Sequence, residues 1–290
     1  MEKYYLHFES VSKTFFVADS VINCFIKKEV IPQIELTDEQ YHRLGCKAPT
    51  ILAPVVGMLM GCSGDCYTSR WNEVLALAKT GVRIIFLTYH HCSVQLQWCK
   101  GVLLPDGVFE KPERYYVGAK NFGDFASIQQ KAYCECVRLA LYSHLPMLGI
   151  GTGTQLIAAE IGLKLYRSFD YVETPITHNT RNAKAHRLNV FADTPLAQIF
   201  GEDNQFFVNS HHRELLAPVR VQREEWAKHH CTGELPLDIY AEANDGTPEA
   251  WGLESRHILC VQWNPEDMVA IGNEKMQRIY QWLADEINNR

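Results

Sequence analysis

Residues 145–166 read LPMLGIGTGTQLIAAEIGLKLY. The first six form an uncharged apolar run of the length of a buried strand, and the segment TQLIAAEIG has the apolar spacing of a helix closed by a glycine. Between them lies a turn built on Gly149, Gly151 and Gly153. A strand that feeds a helix through so tight a turn is the setting for a nucleophile elbow, whose tip residue sits at strained positive φ facing a pocket. Backbone amides of the turn and of the helix N-terminus then stabilise an oxyanion. The tip here is Gly151, which offers no side chain to react.

On either side the chain alternates strands and helices. TILAPVVGMLM reads as a buried strand, SRWNEVLALAKTG as an amphipathic helix ending at Gly81, VRIIFLTY as a strand, and KGVLLPDG as a strand ending in a turn. FASIQQKAYCECVRLALYSH is a helix leading into the elbow strand. This rhythm predicts an α/β fold with a mostly parallel central sheet, helices on both faces, and ligands at the carboxyl ends of the strands. Beyond Tyr166, the segments AHRLNVFA, NQFFVNS, VRVQRE, DIYAEA, AWGLES and HILCVQWNPE read as antiparallel strands that extend the sheet, followed by a closing helix, NEKMQRIYQWLADEINNR. Residues 1–48 stand apart as an N-terminal extension packed on a main domain of residues 49–290. In the extension, KTFFVADSVINCFI is β-prone, and Thr37 with Gln40 forms a capping box for a short helix.

Four of these segments resemble class I glutamine amidotransferases, and in particular their γ-glutamyl hydrolase-like branch, peptidase family C26. The elbow is similar to the family's G-I-C-x-G-x-Q, with Gly149, Ile150, Gly153 and Gln155 matching and Gly151 at the cysteine. KGVLLPDG is similar to the oxyanion strand and turn, with Gly107 retained and Asp106 at the first glycine of a pair. HRLNVFADTPLAQIFGEDNQFFVNSHHRELL is similar to the segment ending V-N-S-x-H, with Val208, Asn209, Ser210 and His212 matching and Glu214 at a glutamine. CVQWNPE is similar to Q-[WF]-H-P-E, with Asn264 at the catalytic histidine and Glu266 at the orienting glutamate.

The resemblance implies a flavodoxin-like class I glutamine amidotransferase fold. It also implies hydrolysis of an amide or γ-glutamyl bond by a cysteine, with a histidine as base. At those positions Gly151 has no nucleophile, and the amide of Asn264 does not titrate near neutral pH. The expectation is a pseudoenzyme that binds a small amino-acid-like or γ-glutamyl ligand, or a protein partner contacted by residues 1–48. The alternative is an active hydrolase with a non-family nucleophile: Thr152 or Thr154 served by His211 or His212, or a thiol of Cys62 or Cys66.

Each of these residues also has a plainer reading. Thr152 is a helix cap, Asp106 a turn residue before Gly107 rather than a new acid, and the loop cysteines are structural. Arg114, Tyr115 and Tyr116 line the pocket mouth or simply pack. Gly149, Gly151 and Gly153 invite a dinucleotide site, but the third glycine of G-x-G-x-x-G is missing. The groupings at 90–92, 134–136, 211–212 and 229–231 do not have zinc-ligand spacing, so no metal and no cofactor are expected.

The 290 residues carry a net charge of -6, with 47% hydrophobic and 21% charged residues. That balance gives no sign of nucleic-acid or acidic-membrane binding. No secretory leader or membrane span is legible, so the default is a cytoplasmic protein whose ten cysteines are mainly reduced, with signal-less export left open.

Overall fold

The computed structural model describes residues 7–9, 14–18, 35–63, 66–89, 91–107, 109–119, 125, 127–169, 176–180, 182–201, 205–228 and 235–290. In chain order the principal elements are α1 (Asp38–Arg43), β1 (Val55–Leu59), α2 (Trp71–Ala78), β2 (Arg83–Leu87), β3 (Gly101–Leu104), α3 (Ile128–Tyr142), β4 (Met147–Ile150) and α4 (Thr152–Ile161). They continue as β5 (His186–Val190), α5 (Pro195–Phe200), β6 (Gln205–Val208), α6 (Val219–Ala227), β7 (Asp238–Ala243), β8 (Pro248–Leu253), β9 (Ile258–Val261), α7 (Pro265–Ala270) and α8 (Gln277–Asn288).

The nine strands form one sheet in the order β6-β5-β7-β8-β9-β4-β3-β1-β2. From β2 to β9 the pairings are parallel. From β9 to β6 they are antiparallel. Side chains alternate across the parallel half. Ile84 and Phe86 of β2 join a core with Val74 and Leu77 of α2 and Ile279 and Leu283 of α8. Ile85 and Leu87 of the same strand face the other way, into a core with Tyr133 and Val137 of α3 and Leu156 and Ile157 of α4. Strands buried on both faces need apolar residues at every position, which is why these segments read as unbroken hydrophobic runs. The α/β fold with helices on both faces of a large mixed sheet is the one expected.

Near the N-terminus, a hairpin of Gly61–Ser63 and Cys66–Arg70 is extended by Thr14–Ala18 and His7–Glu9 into a separate four-stranded antiparallel sheet. Cys62 and Cys66 therefore lie on paired strands rather than in a loop. Helix α1 has the capping box read from Thr37 and Gln40. Its Tyr41 is buried, donates to the carbonyl of Val82 and accepts from the amide of Ile84.

One expectation is corrected. VRVQRE is helical, not extended, because Pro218 opens α6 and Gln222 turns inward to bond the backbone of Lys164 and Ala217. Among the described cysteine side chains one pair is oxidised: Cys92 and Cys136 form a disulfide, while Cys46, Cys99, Cys134 and Cys260 are free and buried. Of the two cysteines on α3, Cys134 lies against the Tyr115 hydroxyl and Cys136 carries the disulfide to Cys92.

Candidate active site

Strands β3, β4 and β9 are parallel neighbours, with Leu104 opposite Gly149 and Val261 opposite Ile150. Their carboxyl ends lie side by side, so the segments that leave them, carrying Asp106, Gly151 and Asn264, meet over one edge of the sheet. Gly151 is the turn itself, at φ 52 and ψ -116, a conformation in which a Cβ is strained. Its amide donates to the carbonyl of Val261, and Thr154 donates its hydroxyl to the same oxygen, fastening the elbow to β9. A Cβ on Gly153 would lie 2.1 Å from the carbonyl oxygen of Leu104, so this glycine sets how closely α4 approaches β3. Gly107 has no such demand, since a Cβ there would meet Phe109 at an ordinary 3.5 Å.

Asp106 is more than a turn residue. Its Oδ1 accepts from the backbone amide of Thr152 at 3.0 Å and from the Thr152 hydroxyl at 2.9 Å. Thr152 is thus not the cap of α4; the carboxylate of Asp106 sits on the helix N-terminus in that role, where the amide dipoles favour an anion. Oδ2 of Asp106 accepts from the side-chain amide of Asn264 at 3.1 Å, and the same Nδ2 donates to Oε1 of Glu266 at 3.1 Å. A continuous polar chain therefore runs Glu266, Asn264, Asp106, Thr152. Tyr280 completes it by donating to Oε2 of Glu266, and Asn209 pairs with the Asn264 backbone through both its amide atoms.

One residue that the motifs did not single out organises this chain. Arg70 sets its guanidinium 3.2 Å from Glu266, 3.4 Å from Asp106 and 3.8 Å from Glu73, and also bonds Asp267. One cation among four carboxylates, of which only Glu73 and Glu266 are fully buried, leaves an excess of negative charge around those two. Burial pushes the Glu266 carboxyl up to about 7 against the pull of Arg70, and it raises fully buried Glu73 well above its ordinary value too. Position was the only clue to Arg70, which stands where a hairpin strand runs into α2.

These residues border a cleft of about 340 Å3 lined in part by Asp106, Lys111, Gly151, Gln155, Arg167 and Arg213. Gln155 donates to the carbonyl of Glu214 and to Gln262, and accepts from Lys111 at 2.7 Å. Lys111 also pairs with Glu214, to which Tyr116 donates its hydroxyl. A larger cleft of about 450 Å3, between Pro195 and Trp282, holds none of the motif residues, so volume alone does not locate the site.

The remaining site candidates divide. Ser210 is buried, and His211 is exposed on the cleft. His212 touches the cleft but turns its ring nitrogens to the carbonyl of Glu214 and to Glu249, not to Thr152. Around Glu249 the structure also gathers His178 and His186, which sequence spacing did not connect. Tyr115 packs inward, and Arg114 lies over the ring of Phe125. The side chains of Cys62 and Cys66 and the grouping at 229–231 lie outside the described residues.

Three kinds of comparison bear on this arrangement. A glutamine amidotransferase-like protein of Lactococcus lactis subsp. lactis, YvdE, is 28% identical over 150 residues, which are 50% of this chain and 56% of that relative's length. Among solved structures, a GMP synthase-type protein from Thermoplasma acidophilum has a TM-score of 0.55 at 15% identity, covering 81% of this chain and 95% of its own. A glutamine amidotransferase from Thermotoga maritima has a TM-score of 0.53 at 12% identity, covering 82% of this chain and 99% of its own. These two show a shared fold. The family model described as Peptidase C26 matches residues 63–266, the span that contains the elbow, the turn at Asp106 and the segment to Glu266, and the chain belongs to that family.

Proposed function

We propose that this protein is a degenerate member of its family, without the Cys-His-Glu hydrolysis of glutamine amidotransferases and γ-glutamyl hydrolases, and that it acts by binding. The observation that supports this reading best is the carboxylate of Asp106 on the N-terminal amide of α4. Acyl transfer at an elbow needs those amides free for a developing oxyanion. Here an anion of the protein itself holds one of them, and a second negative charge beside it would be repelled. Asn264 bridges Asp106 and Glu266 through hydrogen-bond donation alone, with no proton to relay. Losing members of a cooperating catalytic set costs on the order of 10⁴ to 10⁶ in turnover.

The cleft suits a small amino-acid-like or γ-glutamyl ligand. Arg213 offers a positive group for a carboxylate and Asp106 a negative one for an ammonium, while Lys111 and Arg167, paired with Glu214 and Glu113, complete the charged lining. Its volume lies in the range of small-molecule sites. A protein partner engaging the same mouth, with residues 1–48 as part of the contact surface, is the second form of the binding role.

The rival hydrolase reading has one contact in its favour, the 2.9 Å bond between Thr152 and Asp106. A carboxylate is too weak a base to activate an alcohol without a further proton acceptor, and both ring nitrogens of His212 are directed elsewhere. Calorimetric titration with L-glutamine and γ-glutamyl dipeptides, run beside a γ-glutamyl amide hydrolysis assay, separates the two. Saturable binding without turnover supports the proposal. Turnover by the purified protein that disappears in Thr152→Ala overturns it.

A further inference from the structure

Beside the cleft, four side chains converge on one point. His178 precedes a two-residue strand, Asn179–Thr180, which pairs with Ser210–His211 and so brings His178 toward His212. His186 opens β5, and Glu249 lies on β8. Nδ1 of His178, Nε2 of His186 and Nε2 of His212 stand 3.1, 3.4 and 3.4 Å from Oε1 of Glu249. The side chains are 0, 3, 8 and 0% exposed for His178, His186, His212 and Glu249. None of these three nitrogens, and neither oxygen of Glu249, has an aligned hydrogen bond. The groups are close without pointing along each other's lone pairs, as ligands do when they face a shared centre.

We propose that His178, His212 and Glu249, with His186 beside them, form a binding site for a divalent transition-metal ion of the Zn²⁺ class. Four ligands roughly 2.05 Å from a zinc ion lie about 3.3 Å apart at the corners of a tetrahedron. The three nitrogen-to-Oε1 separations match that edge; the donor atoms of His178, His212 and Glu249 all lie within 4.8 Å of one another, and His186 stands outside that compact group, on the Glu249 side. Imidazole with one carboxylate is a donor set suited to Zn²⁺ and its neighbours, and ill suited to Mg²⁺ or Ca²⁺.

The surroundings supply what metal-binding histidines need. Nε2 of His178 is 2.9 Å from Asp245, whose Oδ1 is itself fixed by the amide of Thr247. Nδ1 of His212 is 3.0 Å from the carbonyl of Glu214, and Nδ1 of His186 is 3.4 Å from the carbonyl of Arg187. Each ring thus has its outer nitrogen turned to an oxygen and its inner nitrogen turned to Glu249, the pattern that fixes tautomer and orientation. Phe169 stacks on His178 at 4.3 Å and closes one side. Charge points the same way: Asp245 and Glu249 are both fully buried carboxylates, and one dication balances them. Three converging protein ligands, with His186 beside the fourth position, tie the segment that carries Glu214 to the sheet beside the cleft.

The test reads metal content and needs no activity, so its result is independent of the cleft reading. Full-length protein stripped with a chelator is loaded with Zn²⁺ alone, passed through gel filtration and assayed by elemental mass spectrometry. The expected result is about one Zn²⁺ per chain, falling to below about one tenth in the double variant His178→Ala with Glu249→Gln. Asp245→Asn, which alters only the outer partner, is expected to weaken binding roughly 10- to 100-fold. Co²⁺ in place of Zn²⁺ gives the intense visible bands of a tetrahedral site in the unaltered protein, a readout that survives should the double variant fail to fold. Wild-type protein that retains less than about one tenth of an equivalent, equal retention by a folded double variant, or a weak octahedral Co²⁺ spectrum would overturn the proposal.

Discussion

Asp106 and Gly151 exclude one another's alternatives: a Cβ on Gly151 would meet Oδ1 of Asp106 at 2.5 Å and its Cγ at 2.7 Å. The glycine at the elbow and the acid in the turn after β3 are therefore one structural unit. The aspartate occupies space that a side chain at the elbow tip would need, and in exchange it caps the helix that follows.

Placing Cys and His at the elbow tip and at position 264 is accordingly expected to be insufficient for hydrolysis. Gly151→Cys with Asn264→His is expected to be inactive and less stable by about 1 to 3 kcal/mol, from the positive φ and the clash with Asp106. Adding Asp106→Gly clears the clash and frees the Thr152 amide. Measured γ-glutamyl amide hydrolysis should appear in the triple variant only; activity in the double variant would show that Asp106 moves aside freely.

Asp106→Ala removes the acceptor from the Thr152 amide and hydroxyl, from Asn264 and from Arg70. A lost helix cap of this kind costs about 0.5 to 2 kcal/mol. Urea unfolding should show a loss in that range, and Asp106→Asn, which keeps one acceptor, a smaller one. No change in either variant would mean that the carboxylate contributes nothing to the elbow.

Gly153→Ala places a methyl against the carbonyl of Leu104, where backbone cannot give way. The expected cost is about 3 kcal/mol or failure to fold, since overpacking against rigid backbone is at the severe end of its range. Gly107→Ala, with ordinary contact distances, is the control and should stay within about 1 kcal/mol of wild type by the same measurement.

The pH dependence follows from Glu266 and Glu73. Both carboxyls titrate higher in the folded protein than in an unfolded chain, Glu266 at about 7 against 4.5. Between those values the folded state holds protons that the unfolded state has released. Their contribution to stability is full below the unfolded value and is lost as pH rises through about 7. Each group adds at most about 1.4 kcal/mol per pH unit to that slope. Unfolding followed between about pH 5 and about pH 8 should show the decline, and Glu73→Gln should flatten it; a slope unchanged by the substitution would exclude Glu73 as a source.

Reduction of the disulfide supplies a separate check. Cys92 and Cys136 are separated by 44 positions, and closing a loop of that length restricts the unfolded chain by up to about 4 kcal/mol. Cys92→Ser is expected to lower the melting temperature under oxidising conditions and to leave it unchanged in reductant. Equal melting temperatures in both conditions would mean that the bond does not form in solution.

What the sequence determined by itself was local or periodic. The elbow at Gly151 was legible because a strand, a turn and a helix are decided by neighbouring residues, as was the capping box of Thr37 and Gln40. The parallel strands were legible because burial on both faces writes an uninterrupted apolar run. VRVQRE misled for the same reason, since period-two alternation over so short a span does not reveal a helix whose inward residue, Gln222, is polar.

Tertiary structure decided the relations between segments. Arg70 joins Asp106, Glu266 and Asp267 across up to 197 positions, and His178 meets Glu249 only because a two-stranded ribbon and an antiparallel sheet fold between them. Asp106 read alone is an ordinary turn residue. It becomes the cap of α4 because β3, β4 and β9 are parallel neighbours whose ends coincide, a consequence of strand order that no stretch of sequence states.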